Sequence, residues 1–599
     1  MFNGGGKPGE NQAKSKNFGA AISRLFRELR GAKIPAIIAT LCAVGGSILT
    51  IVAPDRLADL ADQITAGLMP GVSIDFDVIW NIVSIIAILF ASSALLELAE
   101  GIIMAQVSNG FARDLRKRIS HKINRLPLHY FDHNQTGDIL SRVTNDVDTV
   151  AQSLDNSLST IVSEVALMVG VVIMMFITNW VMALVAVAAS LIGFVGMGAV
   201  LSKSQKYFAM RQKELGKINA HIEEVYSGLN VVKAYNGKAE SDRKFDALNK
   251  RVYLANQRSQ FLSGLMHPMM AFIGNFGYVA VCVTGALLVS NNAITFGVIV
   301  AFISYVRLFT SPLSRIAQSM SSLQAAAAAS ERVFEFIDEE ELSDQSEIKT
   351  HIDKDKVRGD IEFDHVKFGY ADSDKLTIKD FSAKAKAGQK IAIVGPTGAG
   401  KTTMVNLLMK FYEINSGDIR IDGVSTREMT REDVHSLFTM VLQDTWLFSG
   451  TVRDNIVYNR HNVSDEEIMK ICKTVGLTHF IKTLPNGLST DISENDSISA
   501  GQKQLLTIAR GMVEDAPFLI LDEATSNVDT RTEELVQKAM DKLMEGRTSF
   551  IIAHRLSTIK NADLILVMNE GNIIETGSHA QLMKQNGFYA ELYNSQFAL

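Results

Sequence analysis

The chain has 599 residues and a formal net charge of −6, from 59 Lys and Arg against 65 Asp and Glu. That length exceeds one core and suits two or more domains, and so mild a charge gives no case for a nucleic-acid partner. Cys42, Cys282 and Cys472 stand far apart with no CxxC pair, which suggests neither a disulfide framework nor a zinc site; a mean hydropathy of +0.12, with the apolar residues gathered between Ile34 and Met320, points to a membrane.

The first 33 residues are rich in Gly, Lys, Arg and Asn and lack an apolar core before a small-residue cleavage site. They are expected to be a cytoplasmic segment and not a cleaved leader. Six apolar stretches follow, Ile34–Pro54, Trp80–Ala105, Ser159–Thr178, Trp180–Leu201, Phe261–Val289 and Ile294–Leu313. Each is near the roughly 20 residues that a membrane helix needs. The fourth carries no charge and no polar stripe at helical period, which a water-soluble bundle would show. Arg113, Arg116, Lys117, Arg118, Lys122 and Arg125 follow the second span, and Lys203 and Lys206 follow the fourth. The loop after the first is acidic, with Asp55, Asp59, Asp62, Asp75 and Asp77. Lys and Arg mark the cytoplasmic side, so both termini are expected there.

Some charges lie inside the spans. Glu97 and Glu100 share a helix face, and three readings stay open for them: contact with a cationic substrate, a hydrogen bond between helices, or a position already outside the hydrocarbon. The same three readings, substrate contact and the two structural ones, apply to Glu164, His267, Asn275 and Arg307. Long, charged, helix-patterned stretches separate spans two and three and spans four and five, whereas the turns three-to-four and five-to-six are short and uncharged. The spans should therefore continue as long helices into the cytoplasm. Gln324–Arg332 is a strong helix former, and Glu339–Lys356 is polar without apolar period. The expected domains are a cytoplasmic segment 1–33, a membrane domain 34–335, a linker 336–358 and a second domain 359–599.

In that second domain Lys390–Val394 reads as a buried strand running into Gly395-Pro396-Thr397-Gly398-Ala399-Gly400-Lys401-Thr402-Thr403. Such glycines let backbone N–H groups close around the phosphates of ATP, and the helix that follows adds its positive N-terminal end. Lys401 is placed to reach the outer phosphates, and Thr402 offers a hydroxyl to Mg²⁺. Phe518–Leu521 is a second buried strand, whose end sends Asp522 toward Mg²⁺ and Glu523 toward an attacking water. A carboxylate there can orient the water and accept its proton. His554 follows the apolar run Thr548–Ile552, and Ser499-Ala500-Gly501-Gln502 lies between the two motifs.

Taken with His129–Asp148 and Glu224–Tyr235, which are similar to the two intracellular loops of ABC exporters, these motifs resemble the ATP-binding-cassette exporter family from about residue 30 to 599. The resemblance implies an all-α six-helix transmembrane domain followed by an α/β P-loop nucleotide-binding domain with a helical subdomain. It implies an ATP hydrolase coupled to transport, with ATP and Mg²⁺ as cofactors. It further implies that Tyr370 stacks on adenine and that Gln443 contacts Mg²⁺ and water. Asp529, in Ser526–Asp529, crosses between two ATPase domains; His554 contacts the γ-phosphate; Ser499, Gly501 and Gln502 cap the P-loop of a second cassette. Each loop should end in a short coupling helix that docks on a nucleotide-binding domain, the second on the partner's.

The chain departs from the family's Leu-Ser-Gly-Gly-Gln at Ile498 and Ala500, and the segment ahead is one residue short after Glu494. A methyl at Ala500 either perturbs the approach to the γ-phosphate or is tolerated if the backbone there is helical. An intact Lys401, Asp522, Glu523 and His554 beside an altered signature resembles the competent subunit of heterodimeric bacterial exporters. The expected partner is a different half-transporter with a degenerate site, and a homodimer is the alternative. The expected activity is export of amphipathic drugs or lipids across the cytoplasmic membrane; lipid flipping, peptide export and, from a different class, an ATP-gated channel or sensor are the alternatives.

Overall fold

The computed structural model describes residues 17–29, 31–68, 74–348, 350–370, 373, 375–443, 445–492, 498–522, 530–552 and 556–597. They belong to two compact units: one runs to Glu340 without Pro127–His133, and the other joins Pro127–His133 to Glu341–Leu599.

The first unit is built from helices Lys33–Gly67, Phe76–Ile123, Val147–Thr178, Trp180–Ser227, Met266–Ser290 and Phe296–Asp338. Among the described residues five helices are long and apolar enough to cross a membrane. The fourth expected span opens helix Trp180–Ser227, whose apolar run among described residues is Trp180–Gly196. The helices outgrow the bilayer as expected: 48 residues in Phe76–Ile123 and again in Trp180–Ser227 give about 72 Å each, against a hydrocarbon thickness of about 30 Å. Each of the two long excursions contains a short helix, Leu128–His133 and Leu229–Ala234.

Close packing of these helices relies on small residues. A Cβ at Gly297 would lie 2.2 Å from the Ala58 carbonyl oxygen, so helices Lys33–Gly67 and Phe296–Asp338 approach backbone to backbone there. The Asp62 carboxylate accepts from the Gly297 N–H at 2.6 Å, satisfying a donor in the first turn of that helix. Val171, Met175, Met182, Val281, Phe302 and Tyr305 fill the core between the spans.

Three of the intramembrane acids have partners inside the bundle. Glu164 is buried and accepts from Arg315 Nη1 at 2.7 Å. Ser159 donates to Glu100, and Ser93 reaches Glu97 at 3.5 Å. Lower down, Arg332 Nε donates to Asp146 at 2.9 Å and a second guanidinium nitrogen completes the fork, which holds the arginine pKa above its ordinary value. Arg332 is about 54 Å along its helix from Phe296, well past the hydrocarbon. Asp146 is buried, so Arg332→Ala strands a carboxylate away from water and is expected to cost about 3 kcal/mol. A thermal-unfolding midpoint equal to the wild type's would show that the fork contributes nothing.

The second unit centres on a ten-stranded sheet in the order β5-β4-β1-β2-β10-β9-β3-β8-β7-β6. In chain order these are β1 Ile361–Phe368, β2 Ile378–Ala385, β3 Lys390–Val394, β4 Ser416–Ile421, β5 Val424–Ser425, β6 Phe438–Val441, β7 Phe518–Asp522, β8 Thr548–Ile552, β9 Leu564–Asn569 and β10 Asn572–Gly577. From β6 through β7, β8 and β3 to β9 the pairing is parallel. Parallel strands need cover on both faces and read as continuous apolar runs. Their alternate residues enter two cores: Ala392, Val394, Leu519, Leu521, Ile551 and Val567 on one side, and Ile391, Ile393, Phe518, Ile520, Phe550 and Leu566 on the other. Helices Val452–Val457, Asp465–Thr474 and Ala500–Glu514 close the first of these cores.

Residues expected as linker are tied to this unit. Arg431 donates from its two terminal guanidinium nitrogens to the Ser343 carbonyl and hydroxyl oxygens, at 3.1 and 2.7 Å, and its backbone N–H donates to Gln345 Oε1 at 2.7 Å. Helix Leu128–His133 also packs here: the Tyr412 hydroxyl donates to the Asp132 carboxylate. Burial and that neighbouring acid push the phenol pKa well above its ordinary value.

Candidate functional site

In an open parallel sheet ligands bind beyond the carboxyl ends of the strands. Three adjacent strands, β3, β8 and β7, end together here. Past them lies a pocket of about 320 Å³, lined by Thr397, Gly398, Gly400, Lys401, Thr402 and Thr403 from the loop after β3, with Asp522 from β7 and Ile552 from β8. Gln443 and Thr377 complete the wall.

The loop's shape follows from its glycines. Gly398 and Gly400 take φ of +84° and +100°, a region L side chains disfavour, and Gly400 stands directly before helix Lys401–Leu408. A Cβ at Gly395 would lie 2.3 Å from the Met568 carbonyl oxygen, so β9 packs against the loop's entry as only glycine allows. The helix start then points its free N–H groups into the pocket, which suits an anion.

Lys401 Nζ donates to the carbonyls of Gly395 at 2.7 Å and Pro396 at 3.0 Å. Burial lowers its pKa, and the Asp522 carboxylate opposes that shift. The ammonium is thus folded back over its own loop, held by neutral acceptors where a charged one would bind it better.

Thr402, Gln443 and Asp522, the expected metal-facing residues, all line this pocket. Their side-chain oxygens form a hard donor set that fits Mg²⁺, which takes few protein ligands and keeps water and phosphate as the others. Among the described residues no group of three or more His, Cys, Asp or Glu side chains could hold a metal by itself.

Tyr370 is placed next to the loop but does not line the pocket. Its hydroxyl pairs with Thr403 Oγ1 at 3.1 Å, and its ring meets Phe368 and Tyr412 edge-on, at 5.0 and 5.2 Å. Ser499 and Gln502 form a reciprocal capping box at the start of helix Ala500–Glu514, with N–H to oxygen distances of 3.3 and 3.0 Å. Gly501 is buried behind them. These three residues do not line the pocket of their own chain. Ala500 is the exposed first residue of that helix, so its backbone is helical and the methyl group sits without strain. Glu523, Asp529 and His554 lie outside the described residues; Glu523 directly follows the last residue of β7, and His554 comes two after the last of β8.

Sequence reasoning missed Thr377 and Ile552 in the pocket wall. Ile552 could have been found as the end of the apolar run that precedes His554. Thr377 gives no such signal: it enters the site because Ile378 packs under Gly400, where an added Cβ would come within 2.8 Å of Ile378 Cδ1.

Two family models match the chain, the ABC transporter transmembrane region over residues 36–313 and the ABC transporter family over residues 378–526. A "Fatty acid ABC transporter ATP-binding/permease protein" of Mycobacterium bovis is 42% identical over 96% of this chain and 90% of its own length. An "ATP-dependent lipid A-core flippase" of Desulfotalea psychrophila is 33% identical over 96% of this chain and 99% of its own. A "Probable multidrug resistance ABC transporter ATP-binding/permease protein" of Bacillus subtilis is 33% identical over 85% and 75%. A bundle of apolar helices and a P-loop sheet joined in one chain, matched along almost their whole length by such relatives, make this protein a member of the ABC transporter family, an exporter-type membrane protein fused to its own transport ATPase.

Proposed function

We propose that the chain is one half of an ATP-driven exporter that moves amphipathic molecules, lipids or drugs, out across the cytoplasmic membrane of a bacterium. The observation that carries this reading is the pocket that unites Lys401, Thr402, Gln443 and Asp522 at the ends of parallel strands in a chain that also carries the spans. Names of relatives support the substrate class, since fatty acid, lipid A-core and multidrug all denote amphiphiles. Positive loops after spans two and four put both termini and the ATPase in the cytoplasm.

In this reading the loop N–H groups and Lys401 hold the β- and γ-phosphates of ATP. Thr402, Gln443 and Asp522 hold Mg²⁺, which neutralises phosphate charge when bound. Glu523 takes the proton of the water that attacks the γ-phosphorus, and His554 contacts the γ-phosphate. Tyr370 offers its ring to adenine from beside the loop. Ser499, Gly501, Gln502 and Asp529 act on the second cassette, which agrees with the absence of the first three from their own pocket. ATP then joins two cassettes, closure opens the membrane domain outward, and hydrolysis releases it.

The second half is a different chain whose own catalytic residues are degenerate. Ala500 favours this: its methyl is exposed at the helix start that would meet the partner's nucleotide, while Lys401, Asp522, Glu523 and His554 are all present in the sequence. The helical backbone at Ala500 favours the second reading, a homodimer that tolerates the methyl. Reconstitution in lipid separates them. The chain alone is expected to hydrolyse ATP at background rate, and a half-transporter encoded beside it to restore turnover and uptake of an amphiphile into inverted vesicles. Vigorous hydrolysis by the chain alone would overturn the heterodimer, and ATP-independent uptake would overturn the pump.

A further inference from the structure

We propose that Arg307, an intramembrane charge with no side-chain hydrogen bond or ion pair among the described residues, and the pocket beside it receive the acidic head of a single-chain amphiphile. This deepens the exporter reading and rests on it for the claim that the bound molecule is cargo.

The pocket has a volume of about 230 Å³ and lies between three helices of the first unit. Thr50 and Pro54 come from Lys33–Gly67, Ile86 and Phe90 from Phe76–Ile123, and Arg307 and Leu308 from Phe296–Asp338. Arg307 is about 17 Å along its helix from Phe296, more than halfway through a hydrocarbon layer of about 30 Å. A cation at such depth is costly, faces a cavity or another helix, and needs a counter-charge. Glu97, Glu100 and Glu164 have Ser93, Ser159 and Arg315. The Arg307 guanidinium makes no hydrogen bond or ion pair with a side chain among the described residues. It is exposed, so a ligand can reach it.

A guanidinium presents a planar fork that matches a carboxylate or phosphate with two parallel hydrogen bonds. The walls offer acceptors too. Pro54 and Pro312 each lie four residues beyond a lining residue, Thr50 and Leu308. A proline leaves that carbonyl without its helical donor. The Thr50 hydroxyl is already engaged with Gly46 and Ser93, at 3.1 Å to each. The chemistry on offer is thus one fixed cation, backbone acceptors for a protonated or hydrated oxyanion, and an apolar rim at Ile86 and Phe90. The volume falls below the roughly 300–1,000 Å³ of sites that enclose a drug-sized ligand, so it suits a head and the first carbons of a tail and not a whole polycyclic drug.

The test holds the tail constant and changes the head. Oleate, oleyl phosphate, oleyl alcohol and oleylamine are titrated by equilibrium binding against the full chain, with its partner half, in lipid nanodiscs without nucleotide. Oleate or oleyl phosphate is expected to bind at least about tenfold tighter than oleyl alcohol, with oleylamine weakest; the better of the two acids identifies the head. Arg307→Gln should bring the acid down to the affinity of the alcohol while leaving the alcohol where it was, which also shows that the variant is folded. Arg307→Lys should keep most of the preference. Equal binding of acid and alcohol by the wild type, or a preference that survives Arg307→Gln, overturns the proposal. Since binding is read without ATP, a failure of the pump reading appears only in ATP-driven uptake and leaves this result intact.

Discussion

Glu523→Gln should leave ATP binding in place and lower hydrolysis by about a thousandfold, within the range that removal of a general base produces. Glutamine keeps the size and one hydrogen-bonding oxygen of the side chain but cannot accept the water's proton. Its sequence neighbour Asp522 ends β7 at the wall of the pocket. If one of two composite sites carries turnover, a single substitution in this chain silences the pair and traps the cassettes joined with ATP between them. Phosphate release and retained nucleotide, measured on the same reconstituted sample, give both halves of the prediction. Turnover at the wild-type rate would remove Glu523 from the catalytic role.

Lys401→Ala is the second large effect, and it should act on affinity. In the proposed reading the ammonium, which here donates to the neutral carbonyls of Gly395 and Pro396, would turn to the phosphate oxygens of ATP. Truncating one member of a hydrogen-bonded, desolvated charge pair costs about 2–5 kcal/mol, or roughly 30-fold to several thousandfold in Kd. Burial lowers the lysine pKa, and the negative charge of an arriving phosphate would oppose that shift. Equilibrium binding of ATP to the variant checks this, and an unchanged Kd would contradict the assignment of the loop.

Much of the second unit is legible because its chemistry and its fold share the same residues. β3, β7 and β8 are short apolar runs, each followed closely in the sequence by a chemistry-bearing motif, which announces buried strands with a site past their carboxyl ends. Spans are legible for a simpler reason: length and composition suffice. Pairings across the chain are not. Glu164 and Arg315 are 151 positions apart, and Asp146 and Arg332 are 186 apart. Nothing local in either sequence segment names the other. Tyr370 illustrates a different limit: the resemblance supplies a role for its face, whereas the contact with Thr403 depends on how β1 runs beside helix Lys401–Leu408. The membership of Pro127–His133 in the second unit is foreseeable only as a family trait, because a helix of six residues is too short for its sequence pattern to declare a partner.

That last feature bears on how the protein can be taken apart. A fragment begun at Glu341 contains the whole sheet and the loop after β3, yet it omits a piece of its own folding unit. Tyr412 would lose Asp132 and present a bare hydroxyl beside Phe368 and Tyr370, at the back of the phosphate loop. Crystallisers and enzymologists who want a soluble cassette should therefore graft residues 127–133 onto it or add that peptide in trans. Chimaeras that exchange cassettes between relatives should carry the same segment across with the domain it belongs to.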